Sequence, residues 1–161
     1  MERRKFIKGL AVASALVTVP VALSAKEEKV KKNVAPKGGA NALPYEDAKK
    51  AITDGKEVKS SDKVTLTVPE IAENGAVVPV KVHVEHPMEE ANHVKAIHVL
   101  AKENGNSRCA DVMLTPMNDK GYFATRIKLA KTQEVVAIVE LSDGSFISAT
   151  KSVKVTIGGC G

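Results

Sequence analysis

After residue 60 the chain alternates apolar and polar positions with a period of two; only one short stretch before that has helical signals. Val64-Thr65-Leu66-Thr67-Val68 alternates and stops at Pro69. Val78, Val80, Val82 and Val84 line one strand face, while Lys81, His83 and Glu85 point the other way. Further strands are expected over 94–102, 109–115, 122–130, 134–142 and 145–157. Turn signals separate them: His86-Pro87, Asn104-Gly105-Asn106, Asn118-Asp119-Lys120-Gly121 and Asp143-Gly144. About seven strands joined by short connections predict an all-β fold, an antiparallel β-sandwich of immunoglobulin-like type. The Cys–Trp–Cys core of antibody domains is missing, so the expectation covers architecture only. A short helix is expected at 44–53, with Pro44 in the first turn, Glu46 and Asp47 at the positive end and Gly55 stopping it.

The pattern divides the chain into an export segment (1–25), a charged, then Gly/Ala-rich flexible linker (26–43), a β-sandwich domain (44–157) and a C-terminal arm (158–161). In the first segment, basic residues lead into an apolar run from Leu10 to Leu23, about 14 residues against the ~20 that a membrane span requires. Ala22-Leu23-Ser24-Ala25 offers cleavage after Ala25. Arg3-Arg4-Lys5-Phe6-Ile7-Lys8 resembles the twin-arginine export motif, with Arg3, Arg4 and Phe6 as its defining positions. The alternative is an ordinary secretory signal in which two arginines happen to adjoin. Either pathway places the mature chain outside the cytoplasm, and the twin-arginine reading places it in a bacterial periplasm.

Charge narrows the partners. The chain has 161 residues and a formal charge of +5. Much of that excess lies in residues 1–25, where Arg3, Arg4, Lys5 and Lys8 face the single acid Glu2. The remainder carries 20 bases against 18 acids, too balanced to hold nucleic acid or an anionic membrane. Aromatics are 3% with no Trp, which also argues against base stacking.

Candidate chemistry is sparse. His83 shares a strand face with Glu85, and His86, His93 and His98 follow nearby, but no metal-ligand spacing links them. A copper electron-transfer site needs a Cys, two His and usually a Met near the end of the fold. Cys109 is followed by Met113 and Met117 with no His between, so the ligand loop is missing. No nucleophile elbow, phosphate loop or carboxylate pair stands out. By elimination the chain is expected to be no enzyme in its own right and to need neither metal nor cofactor.

Two cysteines remain. Cys109 opens a strand and reads as a small core residue; a redox role or a link to a partner cysteine stays open. Cys160 follows the alternating strand Ser152–Ile157 in the tail Gly158-Gly159-Cys160-Gly161. Glycines at 158, 159 and 161 leave the backbone free, so the thiol is expected on a swinging arm. Four extended residues reach at most ~13–14 Å, enough to enter a narrow pocket on another protein. The adjacent terminal carboxylate disfavours a thiolate, which suits an attachment point better than a self-activated nucleophile. A surplus terminal cysteine, or a disulfide between two copies of Cys160, remains the alternative.

Three segments then match a known family. They are Val68-Pro69-Glu70-Ile71-Ala72-Glu73-Asn74-Gly75-Ala76-Val77-Val78-Pro79-Val80, the stretch 125–139, and Ser142-Asp143-Gly144-Ser145; the tail Lys154–Gly161 completes the match. Over roughly residues 44–161 the chain resembles SoxY, the sulfur-carrier subunit of the bacterial Sox thiosulfate-oxidising system. The family tail usually reads Gly-Gly-Cys-Gly-Gly, one glycine longer than here, and Cys109 has no counterpart in that pattern. The resemblance implies that Cys160 is the covalent attachment site. It also implies four partners: a SoxZ-like subunit forming a heterodimer, a haem enzyme that conjugates thiosulfate, a manganese-dependent thiosulfohydrolase and a sulfur dehydrogenase. A structural sandwich whose terminal cysteine only crosslinks copies, or a carrier serving another sulfur-transfer pathway, are the competing readings.

Overall fold

A computed structural model describes residues 42–159. The expected export residues Arg3, Arg4 and Phe6, most of the linker, and Cys160 and Gly161 lie outside the described residues. In chain order the elements are α1 (Tyr45–Thr53), β1 (Val58–Ser60), β2 (Val64–Thr67), β3 (Ile71–Asn74), β4 (Val78–Val84), β5 (Val94–Ala101), β6 (Arg108–Met113), β7 (Gly121–Ile127), β8 (Gln133–Leu141) and β9 (Phe146–Ile157). The larger sheet runs β1-β9-β8-β5-β6, with β3 also paired to β9; the smaller runs β2-β4-β7. Among the described residues no helix is long and apolar enough to cross a membrane.

The sandwich forms because each sheet has an apolar face to bury. In β4, Val78, Val80, Val82 and Val84 point inward and the residues between them outward, as a half-buried strand requires. Opposite them lie Val94, Ile97 and Val99 of β5 and Val135, Ala137 and Val139 of β8. Burying a valine of this kind stabilises the fold by roughly 1.5–3 kcal/mol, so this layer dominates folding. β5 and β8 are buried on both faces, because Leu100, Val136 and Ile138 also pack outward under α1 around Ala48 and Phe146. The helix ends where Asp54 adopts a left-handed conformation at φ 51°, which an Asp side chain tolerates, followed by Gly55 at φ 76°.

All seven expected strands are present, with ends displaced by a few residues at most. Two more, β1 and β3, are too short for alternation to reveal, and in β3 only Ala72 is buried. They also depart from the expected antiparallel pairing: both lie parallel to β9, β1 along its start (Val58 opposite Phe146) and β3 along its end (Asn74 opposite Ile157). Just before the helix, Leu43 is tied to the loop after β5. Leu43 donates its N–H to the Gly105 carbonyl at 3.0 Å and accepts from Ser107 N–H at 2.9 Å.

Candidate functional site at the C-terminal tail

β9 is held by different partners along its length, and its last turn of pairing delivers the tail. Through Val153 it pairs antiparallel with β8. Beyond that point β8 has ended and β3 takes over, with Lys154 N–H donating to Glu70 O at 2.9 Å. Thr132, just before β8, continues the support with its side chain: Val155 N–H donates to Thr132 Oγ1 at 2.9 Å. The strand can therefore run on past its antiparallel partner without leaving its backbone groups unpaired.

At the end of β9 three stretches of backbone interlock. Gly75 donates its N–H to Ile157 O at 2.7 Å, and its own carbonyl accepts from Leu129 N–H at 2.7 Å. Leu129 O in turn accepts the N–H of Gly159 at 2.9 Å. Such close approach leaves no room for side chains. A Cβ on Gly75 would collide with Leu129 O and lie 2.8 Å from Gly159 N; one on Gly158 would collide with Ala130 O. A Cβ on Gly159 would lie 2.6 Å from Ala76 N and from Gly75 C and O.

Gly158 and Gly159 thus have a different use from the one expected. Their missing side chains permit close backbone contact, and residues up to 159 are docked against the domain. Of the arm expected over 158–161, the described part, Gly158 and Gly159, is docked; Cys160 is the next residue in sequence. Exposed apolar side chains occur on the segments that hold the tail: Ile71 on β3, Val77 after Gly75, and Ile157, which is 69% exposed.

The Lys128–Lys131 segment that grips the tail is itself braced from inside. Asn104 Nδ2 donates to Lys128 O at 2.8 Å, and its Oδ1 accepts from Ala130 N–H at 3.0 Å and from Gln133 Nε2 at 2.9 Å. Gln133 Nε2 also donates to Lys131 O, and its Oε1 accepts from Glu103 N–H. Both amide side chains are buried. This brace explains why β7 ends at Ile127 and not at residue 130, as alternation predicts: the backbone beyond turns its polar groups toward Asn104. Asn104 reads in the sequence only as a turn residue, and nothing in its neighbours signals a bridging role.

Cys109 lies behind the brace, half-buried, with Asn104 Nδ2 3.7 Å from its sulfur and the thiol donating to Ser107 O at 3.5 Å. Burial pushes the thiol pKa up to about 11 despite the opposing Asn104 hydrogen bond. It is a free thiol packed against the core, in keeping with the core reading of the sequence.

The histidines separate. His86 bonds Asn92, and His93 bonds the Glu89 carbonyl. His98, 3% exposed, pairs with Asp111 on β6, which Arg108 also holds at 2.8 Å. Burial would raise the Asp111 pKa, but the His98 and Arg108 contacts outweigh it and hold the carboxyl below its usual range. Among the described residues no three His, Cys, Asp or Glu side chains stand close enough to hold a metal. Met113 and Met117 are exposed.

Comparison with known proteins bears on the whole domain. The family model described as "Sulfur oxidation protein SoxY" matches residues 48–160. The solved structure of the sulfur carrier protein SoxY from Chlorobium limicola f thiosulfatophilum is similar with a TM-score of 0.59 and 31% identity, covering 70% of this chain and 96% of that one. A superoxide reductase (neelaredoxin) from Ignicoccus hospitalis has a TM-score of 0.53 at 22% identity, covering 71% and 94%. The superoxide reductase from Nanoarchaeum equitans has 0.50 at 12%, covering 60% and 100%. At such identities the superoxide reductases share the fold alone. No curated protein matches the sequence.

Proposed function

The chain belongs to the SoxY family of sulfur oxidation proteins, and from that premise we propose that it carries sulfur covalently on Cys160 during thiosulfate oxidation. The observation that carries the reading is the tail: the domain docks the chain up to Gly159, and the next residue in sequence is the cysteine. A haem-containing partner would join thiosulfate to the thiol, forming a Cys–S–S–sulfonate as the thiol proton leaves and two electrons pass on through that partner to its electron acceptor. A manganese-dependent thiosulfohydrolase then adds water, releasing sulfate and leaving a persulfide. A sulfur dehydrogenase oxidises that outer sulfur to a sulfonate, taking three oxygens from water and passing six electrons to its own electron acceptor as six protons leave, and a second hydrolysis releases sulfate and regenerates the thiol. The chain supplies the handle and its partners the catalysis.

In the same reading the Arg3-Arg4 segment sends the chain to the periplasm by the twin-arginine pathway, together with a SoxZ-like subunit as heterodimer. Cys109 is unsuited to compete for the substrate. With a pKa of about 11 its thiolate fraction at pH 7 is only ~1 in 10,000.

Peptide mass spectrometry after turnover with thiosulfate and the partner enzymes tests the assignment. Reductant-labile sulfur adducts are expected on Cys160, and Cys160→Ser is expected to abolish turnover. Adducts confined to Cys109, or full turnover in Cys160→Ser, would refute it. A copy-linking role for Cys160 predicts instead a covalent dimer and no adduct.

A further inference from the structure

We propose that Gly75 is the positioning residue for the carrier thiol: by lacking a side chain it lets the end of β9 lock into the domain, and so sets where the moving arm begins. The inference rests on the carrier reading of Cys160 but concerns a residue far from it in sequence. Gly75 is the middle member of the interlock, donating to Ile157 O and accepting from Leu129 N–H. Its turn is pre-formed, because Asn74 Oδ1 accepts the N–H of Ala76 at 2.8 Å and holds the loop in shape. On the far side, the 128–131 backbone is fixed by the buried Asn104 and by the fully buried Leu129 side chain. The tail is thus the member of the interlock with least else to hold it.

The consequence is a change in reach. With Gly159 docked, the Cα of Cys160 stays ~3.8 Å from that of Gly159, so the thiol works close to the domain surface. With the lock open, the chain is free from Gly158 onward, and three extended residues carry the Cα of Cys160 up to ~10 Å from Ile157. A methyl group at Gly75 favours the open form. It would strike Leu129 O, the same atom that accepts the hydrogen bond from Gly159, and it would crowd Gly159 N at 2.8 Å.

Backbone ¹⁵N NMR relaxation on the mature full-length chain locates where the mobile arm starts. In the wild type, the heteronuclear NOE of Gly159 is expected to match that of β9 and to fall at Cys160. In Gly75→Ala the fall is expected to move back to Gly158, with Gly159 N–H hydrogen exchange accelerated at least tenfold. Ala48→Gly, in α1, serves as the control for simple destabilisation. It should lower the melting temperature while leaving the boundary at Cys160. A boundary already at Gly158 in the wild type, or one that Gly75→Ala leaves in place, would overturn the proposal. So would an equal shift in Ala48→Gly. Should Gly75→Ala fail to fold, Gly159→Ala probes the same contact from the chain end, where its Cβ would crowd Gly75 and Ala76. The readout needs no sulfur on the thiol, so this inference and the carrier assignment can fail independently.

Discussion

Two neighbouring regions bring backbone segments together in opposite ways. Around Asn104 the contacts are made by side chains: two buried amides, Asn104 and Gln133, bridge the carbonyls and N–H groups of residues 103 and 128–131. Around Gly75 the contacts exist because side chains are missing, and backbone meets backbone directly. The first arrangement fixes the 128–131 loop through two buried amides, since the backbone groups it holds would lose their partners without it. The second leaves a chain end docked by few bonds, which can be released without uncovering the core. A carrier requires both behaviours, a rigid platform and a detachable end, and here they share the Leu129–Ala130 segment.

The comparison breaks most severely at Asn104. Asn104→Leu removes the partners of Ala130 N–H and Lys128 O and takes from Gln133 Nε2 one of its two acceptors, at ~1–3 kcal/mol for each buried group left unpaired. The melting temperature is expected to fall by about 10 °C or more, with loss of Gly159 protection as a secondary effect. A melting temperature within ~2 °C of wild type would mean that the brace is incidental.

A smaller effect comes from alkali. Burial raises the Cys109 pKa to about 11 from an ordinary value near 9. The folded state therefore keeps its proton where the unfolded chain loses it. This contribution is intact below pH ~9 and is lost as pH climbs through about 11, with a size of roughly 2 kcal/mol. Denaturant titrations between pH 8 and 11 should show a decline that Cys109→Ser flattens; identical slopes would place Cys109 outside the buried layer. Gly158 and Gly159, which make the tail's contacts with the domain, have no titratable side chain and should contribute nothing to that slope.

The smallest effect on stability is expected from Gly158→Ala. Its Cβ would collide with Ala130 O, and the tail, being the chain end, can move aside. The cost is about one hydrogen bond, ~1 kcal/mol, and a few degrees of melting temperature. A loss as large as that of Asn104→Leu would show that the tail is part of the core and not a detachable end.

What the sequence disclosed follows from which atoms make the contacts. β4 is legible because a strand buried on one face must alternate, and β5 and β8 because strands buried on both faces become apolar runs. β1 and β3 are too short and too exposed to carry a period, and their partner strand lies at the other end of the domain. The tail stands out in the sequence as a cysteine among glycines, and the family resemblance implies a role for it. Its geometry does not stand out. Gly158 and Gly159 look like freedom in a sequence, because the Gly75 and Leu129 backbones that meet them leave no side-chain signature. Asn104 is hidden for the converse reason: an Asn next to Gly reads as a turn, and only the fold shows its amide reaching across to residues 128 and 130.

The parallel pairing of β9 with β1 and β3 has a bearing on how the molecule assembles. The final strand completes its sheet against strands made at the start of the domain, with Val58 meeting Phe146 and Ile71 meeting Lys154. Such distant pairings carry the greatest loop-closure entropy and form late. During synthesis the early strands must wait for the whole chain, their edges uncovered, until β9 arrives. The docking of Gly159 comes later still, because it depends on Gly75, Leu129 and Ile157 all being in place. A seated Gly159 is therefore a sign that folding has finished.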